Sequence, residues 1–214
     1  EEYRLLIDDI AINVTKFFRD PETFEALERD VLPSLIYEKA VGNRRVIRLW
    51  SAGCASGEEA YTVAILLRDL LGEEFGNYLV SIHATDIDSE SLSVAKRGLY
   101  DQAQLENTPQ TYLEKYFERR GNGFQVAREI MRIVKFAKQD LFSRVKPSHF
   151  DMILCRNVMI YFSKGMQGKL YRQFYDALNI GGYLVLGKTE NIIGDSKVLF
   201  DLVDPRERIY RKKG

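Results

Sequence analysis

The chain has 214 residues, of which 45% are hydrophobic, enough for one domain of ordinary size built around one main core. Its 31 basic and 31 acidic side chains cancel, which argues against a nucleic-acid partner or an anionic membrane surface. No run approaches the ~20 apolar residues of a membrane span, and the N-terminus lacks a signal-peptide layout, so we expect a cytoplasmic protein without membrane insertion. Zinc and iron sites usually need three or four clustered ligands, and the chain has two cysteines and two histidines; we expect Cys54 and Cys155 to be small buried residues and no metal to be bound.

The first elements form a strand, a glycine-containing turn and a helix. Residues 1–20 begin as a helix already under way, with Tyr3, Leu6 and Ile10 on one side, which suggests a linker that continues from something upstream. VIRLWSAG, residues 46–53, is a nearly continuous apolar run typical of a buried parallel strand. EEAYTVAILLRDLLG then shows helical spacing and ends at Gly72.

The middle of the chain repeats this unit and then departs from it. YLVSIHATDID, residues 78–88, predicts a second strand, followed by a helix capped by Asp88 or Ser89 and stopped at Gly98. A short helix is expected in TYLEKYFE, and Gly121-Asn122-Gly123 is a turn signal between short β-like stretches. We therefore expect a small antiparallel excursion here.

The last third returns to the β-α pattern and closes with a hairpin. HFDMILCRNVMIYF, residues 149–162, predicts a third buried parallel strand, and the amphipathic helix after it is expected to close at Gly181 and Gly182. GYLVLGKTEN predicts another strand, and Asp204-Pro205 separates two short runs of an edge hairpin. The alternation predicts a doubly wound, mostly parallel α/β sheet, in which ligands lie at the carboxyl ends of the strands.

The turn after the first strand favours a cationic ligand. Gly53 and Gly57 let the backbone approach a ligand, while Glu58 and Glu59 occupy the helix start where a dinucleotide-binding protein would place a pyrophosphate. The glycine fingerprint of nicotinamide enzymes is also absent. The simpler alternative is that both glutamates only complement the helix dipole.

Polar residues also end the other strands. Asp86 lies where the two hydroxyls of a ribose would be held by one carboxylate, although Asp88 or Ser89 can cap the next helix at the same time. Arg156 and Asn157 among apolar neighbours have the mixture expected of a pocket wall. Asp140 is a further candidate, for an adenine amino group, with a simple loop aspartate as the alternative.

Four motifs, INVTKFFRD, WSAGCASGEEAY, ATDIDSESL and CRNVMIYF, closely resemble those of the CheR family, the chemoreceptor glutamate O-methyltransferases of chemotaxis, over about Ile12 to Gly187. The resemblance implies a Rossmann-like class I methyltransferase fold over residues 21–214, with residues 1–20 contributing a linker helix and an opening cofactor-contact motif. It implies S-adenosylmethionine as methyl donor, S-adenosylhomocysteine as product, and receptor glutamyl side chains as acceptors.

The resemblance also implies roles for individual residues. Arg19 and Tyr161 would lie nearest the transferred methyl group as catalytic residues. The resemblance assigns the cofactor contact to Glu59, with the neighbouring Glu58 as the alternative. The residues assigned to the cofactor pocket are Asn13, Thr15, Arg19, Glu59, Asp86, Asp140, Leu141, Arg156 and Asn157.

The resemblance has consequences for partners. It implies docking on the cytoplasmic helical region of methyl-accepting receptors, and family members usually carry a helical N-terminal domain of which this chain has at most the final connecting helix. The family's β insertion, expected at about Phe117–Phe136, binds a peptide at the receptor C-terminus in some members, which leaves that ability open here. Two alternatives remain: a methyltransferase with another acceptor, and a non-catalytic cofactor-binding sensor or adaptor.

Overall fold

The computed structural model describes residues 15–143 and 149–214. The predicted opening helix, with Tyr3, Leu6 and Ile10, and the candidate Asn13 lie outside the described residues. Residues 17–20 form a turn and bends that lead into the first helix.

Helices and strands alternate along most of the described chain. The helices are α1 Pro21–Ala26, α2 Leu32–Val41, α3 Glu58–Leu71, α4 Ser89–Arg97, α5 Gln110–Tyr116, α6 Arg128–Ile133 and α7 Lys164–Ala177, with a π-helical turn, Leu27–Val31, joining the first two. The strands are β1 Val46–Ala52, β2 Leu79–Asp86, β3 Leu99–Tyr100, β4 Phe117–Arg120, β5 Gly123–Val126, β6 Val134–Lys138, β7 Phe150–Cys155, β8 Leu178–Leu186, β9 Phe200–Asp204 and β10 Ile209–Lys212. Short 3₁₀ helices cover Gly72–Asn77, Gln102–Leu105, Met159–Tyr161 and Gly194–Leu199.

A seven-stranded sheet in the order β6-β2-β1-β7-β8-β10-β9 forms the centre of the domain. The pairs from β6 to β8 are parallel, and β10 pairs antiparallel with both β8 and β9. The strand order reverses direction between β1 and β7, which places a crevice at the carboxyl ends of these two strands. The predicted doubly wound parallel sheet with a C-terminal antiparallel hairpin is confirmed.

The two faces of the sheet belong to two apolar clusters. Side chains of β1 alternate between them: Ile47 and Leu49 lie in the cluster under α3, whereas Trp50 and Ala52 lie in the cluster under α7. Because both faces are covered, β7 is buried at every position, as the continuous apolar run of its sequence predicted.

Glycines end two helices as predicted, and a third expectation was wrong. Gly72 and Gly98 have φ of 49° and 62° at the ends of α3 and α4. The helix expected to close at Gly181 and Gly182 instead ends at Ala177, and both glycines lie within β8. Gly181, with φ 76°, lies where the pairing of β7 with β8 shifts register, so it shapes a strand irregularity rather than a helix end.

A small antiparallel sheet, in the order β3-β5-β4, forms beside the main one. The turn predicted at Gly121-Asn122-Gly123 joins β4 to β5. The expected insertion, Phe117–Phe136, extends too far, because Val134 and Phe136 belong to β6 and pair with β2 in the main sheet. The third strand of the small sheet is β3, which precedes the expected range and is only two residues long.

Candidate functional site

A cavity of about 740 Å³ opens at the carboxyl ends of β1, β2, β6 and β7. Its size is within the range of small-molecule sites. Of the ten predicted site residues, Asn13 lies outside the described residues. The other nine all line this cavity: Thr15, Arg19, Glu59, Asp86, Asp140, Leu141, Arg156, Asn157 and Tyr161.

The turn after β1 brings backbone close to the cavity. Gly53 and Gly57 have φ of 80° and 93°, values that favour glycine. A Cβ on Gly53 would lie 2.6 Å from Cγ2 of Val158, so the turn and the loop after β7 are in contact here only because Gly53 has no side chain. The predicted close approach of backbone at this turn is therefore present.

Asp86 joins this turn to the start of α4. Its Oδ2 accepts the backbone N–H of Ala55 at 2.7 Å, and its Oδ1 accepts that of Asp88 at 2.9 Å. Each carboxylate oxygen retains a lone pair for a further donor, such as a hydroxyl of a ligand. Asp88 itself caps α4 by accepting the N–H of Glu90, which selects Asp88 over Ser89 as the cap.

Adjacent glutamates at the start of α3 have different surroundings. Glu58 is fully buried away from the cavity lining, where its carboxylate accepts hydrogen bonds from Ser56 at 2.9 Å and from Gln104 at 2.6 Å. Glu59 lines the cavity, and its Oε1 accepts the Ser51 hydroxyl at 2.7 Å. Burial raises the pKa of Glu59, an effect that Arg156, 3.7 Å away, opposes. Glu59 is thus the one placed to face a ligand.

Two phenylalanines hold the opening segment against the domain. Phe17 donates its N–H to the carbonyl of Gln104 at 2.9 Å, and its ring meets that of Tyr100 edge-on at 4.9 Å. Phe18 donates to the hydroxyl of Thr62 at 3.2 Å and stacks on Tyr112 at 5.6 Å. These anchors place Thr15 and Arg19, on either side of them, at the cavity wall.

Arg156, directly after β7, connects three parts of the site. Its side chain is 2% exposed, and Nη2 donates to the Asp20 carboxylate at 2.6 Å and to the Arg19 carbonyl at 3.0 Å. Its guanidinium lies over the ring of Phe24 at 5.1 Å. Its Nε has no hydrogen-bond partner among the described residues. A buried cationic donor without a partner fits an anionic group of a ligand.

The loop after β7 presents the remaining candidates. Asn157 has a left-handed φ of 60°, and the 3₁₀ turn Met159–Tyr161 leaves Tyr161 43% exposed at the cavity mouth. Glu190, after β8, is 4% exposed and accepts backbone N–H groups of this loop, those of Asn157 and Met159. Sequence reasoning did not select Glu190, because a glutamate in GKTEN looks like any acidic loop residue.

On the opposite wall, after β6, lie Asp140 and Leu141. Asp140 accepts the N–H of Phe142 at 2.9 Å through Oδ1, and the Leu141 carbonyl accepts from Gln173 at 2.9 Å. The loop is thereby fixed to α7.

Three further expectations concern the cysteines, metal binding and membrane spans. Cys54 and Cys155 are buried, as predicted, and burial raises the pKa of both thiols. Within residues 15–143 and 149–214, no cluster of three or more His, Cys, Asp or Glu side chains is placed to hold a metal ion. The helices described include none of the length and apolarity needed to cross a membrane.

A family model described as "CheR methyltransferase, SAM binding domain" matches residues 13–209. The chain belongs to this family. The predicted family and its Rossmann-like class I methyltransferase fold are therefore confirmed, and S-adenosylmethionine (SAM) is the cofactor that this CheR domain binds.

Relatives of this CheR domain include proteins named as chemotaxis protein methyltransferases. It is 37% identical over 196 residues to a chemotaxis protein methyltransferase of Borreliella burgdorferi, with 90% of this chain and 69% of that protein covered. It is 33% identical over 216 residues to a probable chemotaxis protein methyltransferase of Rhizobium etli, with 99% and 80% covered. An uncharacterized 104.1 kDa protein of Rhodobacter capsulatus is 35% identical over 204 residues. The match covers 95% of this chain but only 21% of that protein.

The residues of the cavity fit the cofactor of the CheR family. Asp86 has lone pairs that can accept ribose hydroxyls, Glu59 carries a charge opposite to that of the cationic part of the molecule, and Arg156 carries a charge opposite to that of its carboxylate. The lining contains both apolar and polar side chains, as expected of a site for a small molecule.

Proposed function

We propose that this domain transfers the methyl group of SAM to glutamyl side chains of methyl-accepting chemotaxis receptors, giving glutamate methyl esters and S-adenosylhomocysteine. The observation that carries the proposal is that Arg19 and Tyr161 line the same cavity as the predicted cofactor residues. Membership of the CheR family and the names of the chemotaxis relatives support the receptor as acceptor.

In this proposal different residues of the cavity bind different parts of SAM. Asp86 holds the ribose, Asp140 and Leu141 line the adenine region, and Glu59 and Arg156 hold the amino-acid part. Thr15 and Asn157 complete the wall, with Asn13 assigned by the resemblance alone. The bound cofactor supplies an electrophilic methyl group and leaves as a neutral thioether.

Arg19 and Tyr161 are the residues that orient the acceptor. A glutamyl side chain is ionised at neutral pH, with an ordinary pKa of about 4.3, so no general base is needed to activate it. No histidine is among the described residues that line the cavity, in keeping with that chemistry. The Arg19 guanidinium can hold one carboxylate oxygen while the Tyr161 hydroxyl positions the other, and alignment with loss of water is the main contribution to catalysis.

The proposed acceptor implies a location and a partner for the protein. We propose that the domain works in the cytoplasm on the helical cytoplasmic region of the receptors. A receptor C-terminal peptide at the small β3-β5-β4 sheet is a further proposed contact, for which the unpaired edge of β4 offers backbone donors and acceptors.

The test is methyl transfer from SAM labelled in its methyl group to purified receptor cytoplasmic fragments. A matched fragment in which the acceptor glutamates are replaced by alanine is the control. We expect label in the first fragment only, released as methanol by mild alkali because the product is an ester. Label that resists alkali would indicate another acceptor chemistry, and cofactor binding without transfer to any receptor would favour a sensor or adaptor; either result would overturn the proposal.

A further inference from the structure

A single buried carboxylate holds the backbone of two neighbouring loops at the site. Glu190 Oε2 accepts the N–H of Gly187 at 2.6 Å and that of Asn157 at 3.0 Å, and Oε1 accepts the N–H of Met159 at 2.7 Å. The residue is 4% exposed, so these three bonds replace the hydration of its charge.

The local backbone is built around this carboxylate. A Cβ on Gly187 would lie 2.8 Å from Glu190 Oε2 and 2.9 Å from the nitrogen of Asn157. Asn157 adopts its left-handed φ at the same place. Glu190 therefore fixes the end of β8 against the loop after β7 at a separation that admits no side chain between them.

The same loop is held from its other side by α7. Gln167 Nε2 donates to the carbonyl of Met159 at 2.9 Å and to that of Phe162 at 3.0 Å. Met159 thus has its N–H bound by Glu190 and its carbonyl bound by Gln167. The 3₁₀ turn that carries Tyr161 begins at this doubly fixed residue.

From this arrangement we propose that Glu190 and Gln167 are positioning residues that fix the Met159–Tyr161 turn and so set the place of the Tyr161 hydroxyl. Neither residue lines the cavity, and each acts through the backbone of the turn. The inference rests on the proposed function, in which Tyr161 orients the acceptor.

Glu190→Gln should remove the hydrogen bond to Met159 while keeping those to Asn157 and Gly187. A glutamine oxygen can still accept from Asn157 and Gly187, but its amide nitrogen then faces the N–H of Met159 and cannot accept from it. The substitution therefore frees the Met159–Tyr161 turn but leaves the residues proposed to bind the cofactor in place. We expect turnover of labelled methyl transfer to fall about tenfold or more, with affinity for S-adenosylhomocysteine changed less than about threefold. Gln167→Leu should give the same split.

Asp151→Asn is the matched control. Asp151 is another buried carboxylate that accepts a backbone N–H, that of Arg48 at 3.0 Å, but it lies in β7 outside the cavity lining. Its loss can lower stability, yet it should not separate turnover from affinity. Equal proportional losses of turnover and affinity in Glu190→Gln, or wild-type turnover, would overturn the assignment.

Hydrogen exchange provides a readout that does not need turnover. The peptide covering Met159 to Phe162 should exchange faster in Glu190→Gln than in the wild type and be unchanged in Asp151→Asn. Faster exchange together with a wild type that methylates no receptor would contradict the proposed function and leave the positioning role standing. Unchanged exchange in Glu190→Gln would contradict the positioning role itself.

Discussion

Arg156 donates to the carboxylate of Asp20 at 2.6 Å across 136 positions of sequence, and this contact joins the opening segment to the end of β7. The arginine side chain is 2% exposed and the aspartate 32%, so the pair is only partly screened by water. The opening segment is thereby part of the cavity wall.

Weakening this pair should lower stability. Asp20→Asn keeps the left-handed backbone of residue 20, where φ is 57°, but removes the charge that faces Arg156. We expect the free energy of unfolding in urea to fall by about 1 kcal/mol or more. Asp30→Asn, in the exposed pair with Arg29, should leave the unfolding midpoint unchanged. Equal stability of the two variants would show that the Asp20 contact contributes nothing.

Closing the space at Gly53 should damage both folding and binding. Gly53→Ala combines a φ of 80° with a contact of 2.6 Å to Val158, whereas Gly121→Ala has a φ of 57° and open space around it. Gly121→Ala should cost about 1 kcal/mol for the backbone alone, and Gly53→Ala clearly more. Thermal unfolding and titration with S-adenosylhomocysteine measure the two effects. A Gly53→Ala variant as stable as Gly121→Ala would refute the close approach of the two loops.

Most of the cavity could be predicted because its residues follow strand ends. Asp86, Arg156 and the Gly53 turn stand at the ends of largely apolar strands, Asp140 follows the shorter strand β6, and parallel strands bring such ends to one edge of a sheet. The family motifs added Thr15 and Arg19, which periodicity alone does not place, since Phe17 and Phe18 anchor them through contacts with residues distant in sequence.

Other features depend on pairing that the sequence does not show. The end of α7 was misplaced because Gly181 and Gly182 look like a helix stop but serve a register shift inside β8. Glu190 was missed since its three partners are backbone N–H groups, which every residue except proline has. Residue patterns alone did not separate Glu58 from Glu59, because their directions depend on partners: Ser56 and Gln104 for Glu58, and Ser51 for Glu59.

Replacing the hydroxyl of Tyr161 should separate turnover from binding. Tyr161→Phe retains the ring at the cavity mouth and removes the group that positions the acceptor. We expect turnover to fall about tenfold with little change in cofactor affinity, because in the proposed mechanism the hydroxyl contacts the acceptor and not the cofactor. Tyr37→Phe, on α2 and 70% exposed, is the control and should leave both unchanged. Matching losses of turnover and cofactor affinity would contradict the role given to Tyr161.

Ionisation of Glu59 should affect stability and cofactor binding in opposite directions as the pH changes. Burial raises its folded-state pKa above the ordinary carboxyl value, so in the ligand-free protein the ionised group costs stability above that raised pKa. Stability from this group is greatest at low pH and is lost as the pH rises through the folded pKa. Glu59→Gln should therefore be more stable than the wild type at about pH 8, by an amount that shrinks toward the ordinary carboxyl range.

Binding should show the reverse dependence. The cation of the cofactor favours ionised Glu59, so wild-type affinity should weaken as the pH falls through the raised pKa, whereas Glu59→Gln should bind more weakly with no such dependence. Thermal unfolding and calorimetric titration over a series of pH values measure both. A ligand-free Glu59→Gln protein that is less stable than the wild type at about pH 8 would contradict this account.

The most direct test of the central claim is calorimetric titration of the protein with SAM and S-adenosylhomocysteine, with NAD as a control ligand. Wild type and Asp201→Ala, an exposed change on β9, should bind both cofactor forms and not NAD. Asp86→Ala should lose about tenfold or more in affinity, because we propose that the carboxylate that accepts from Ala55 and Asp88 also holds the ribose. Undiminished binding by Asp86→Ala, or NAD bound as tightly as SAM, would contradict the site described for this domain.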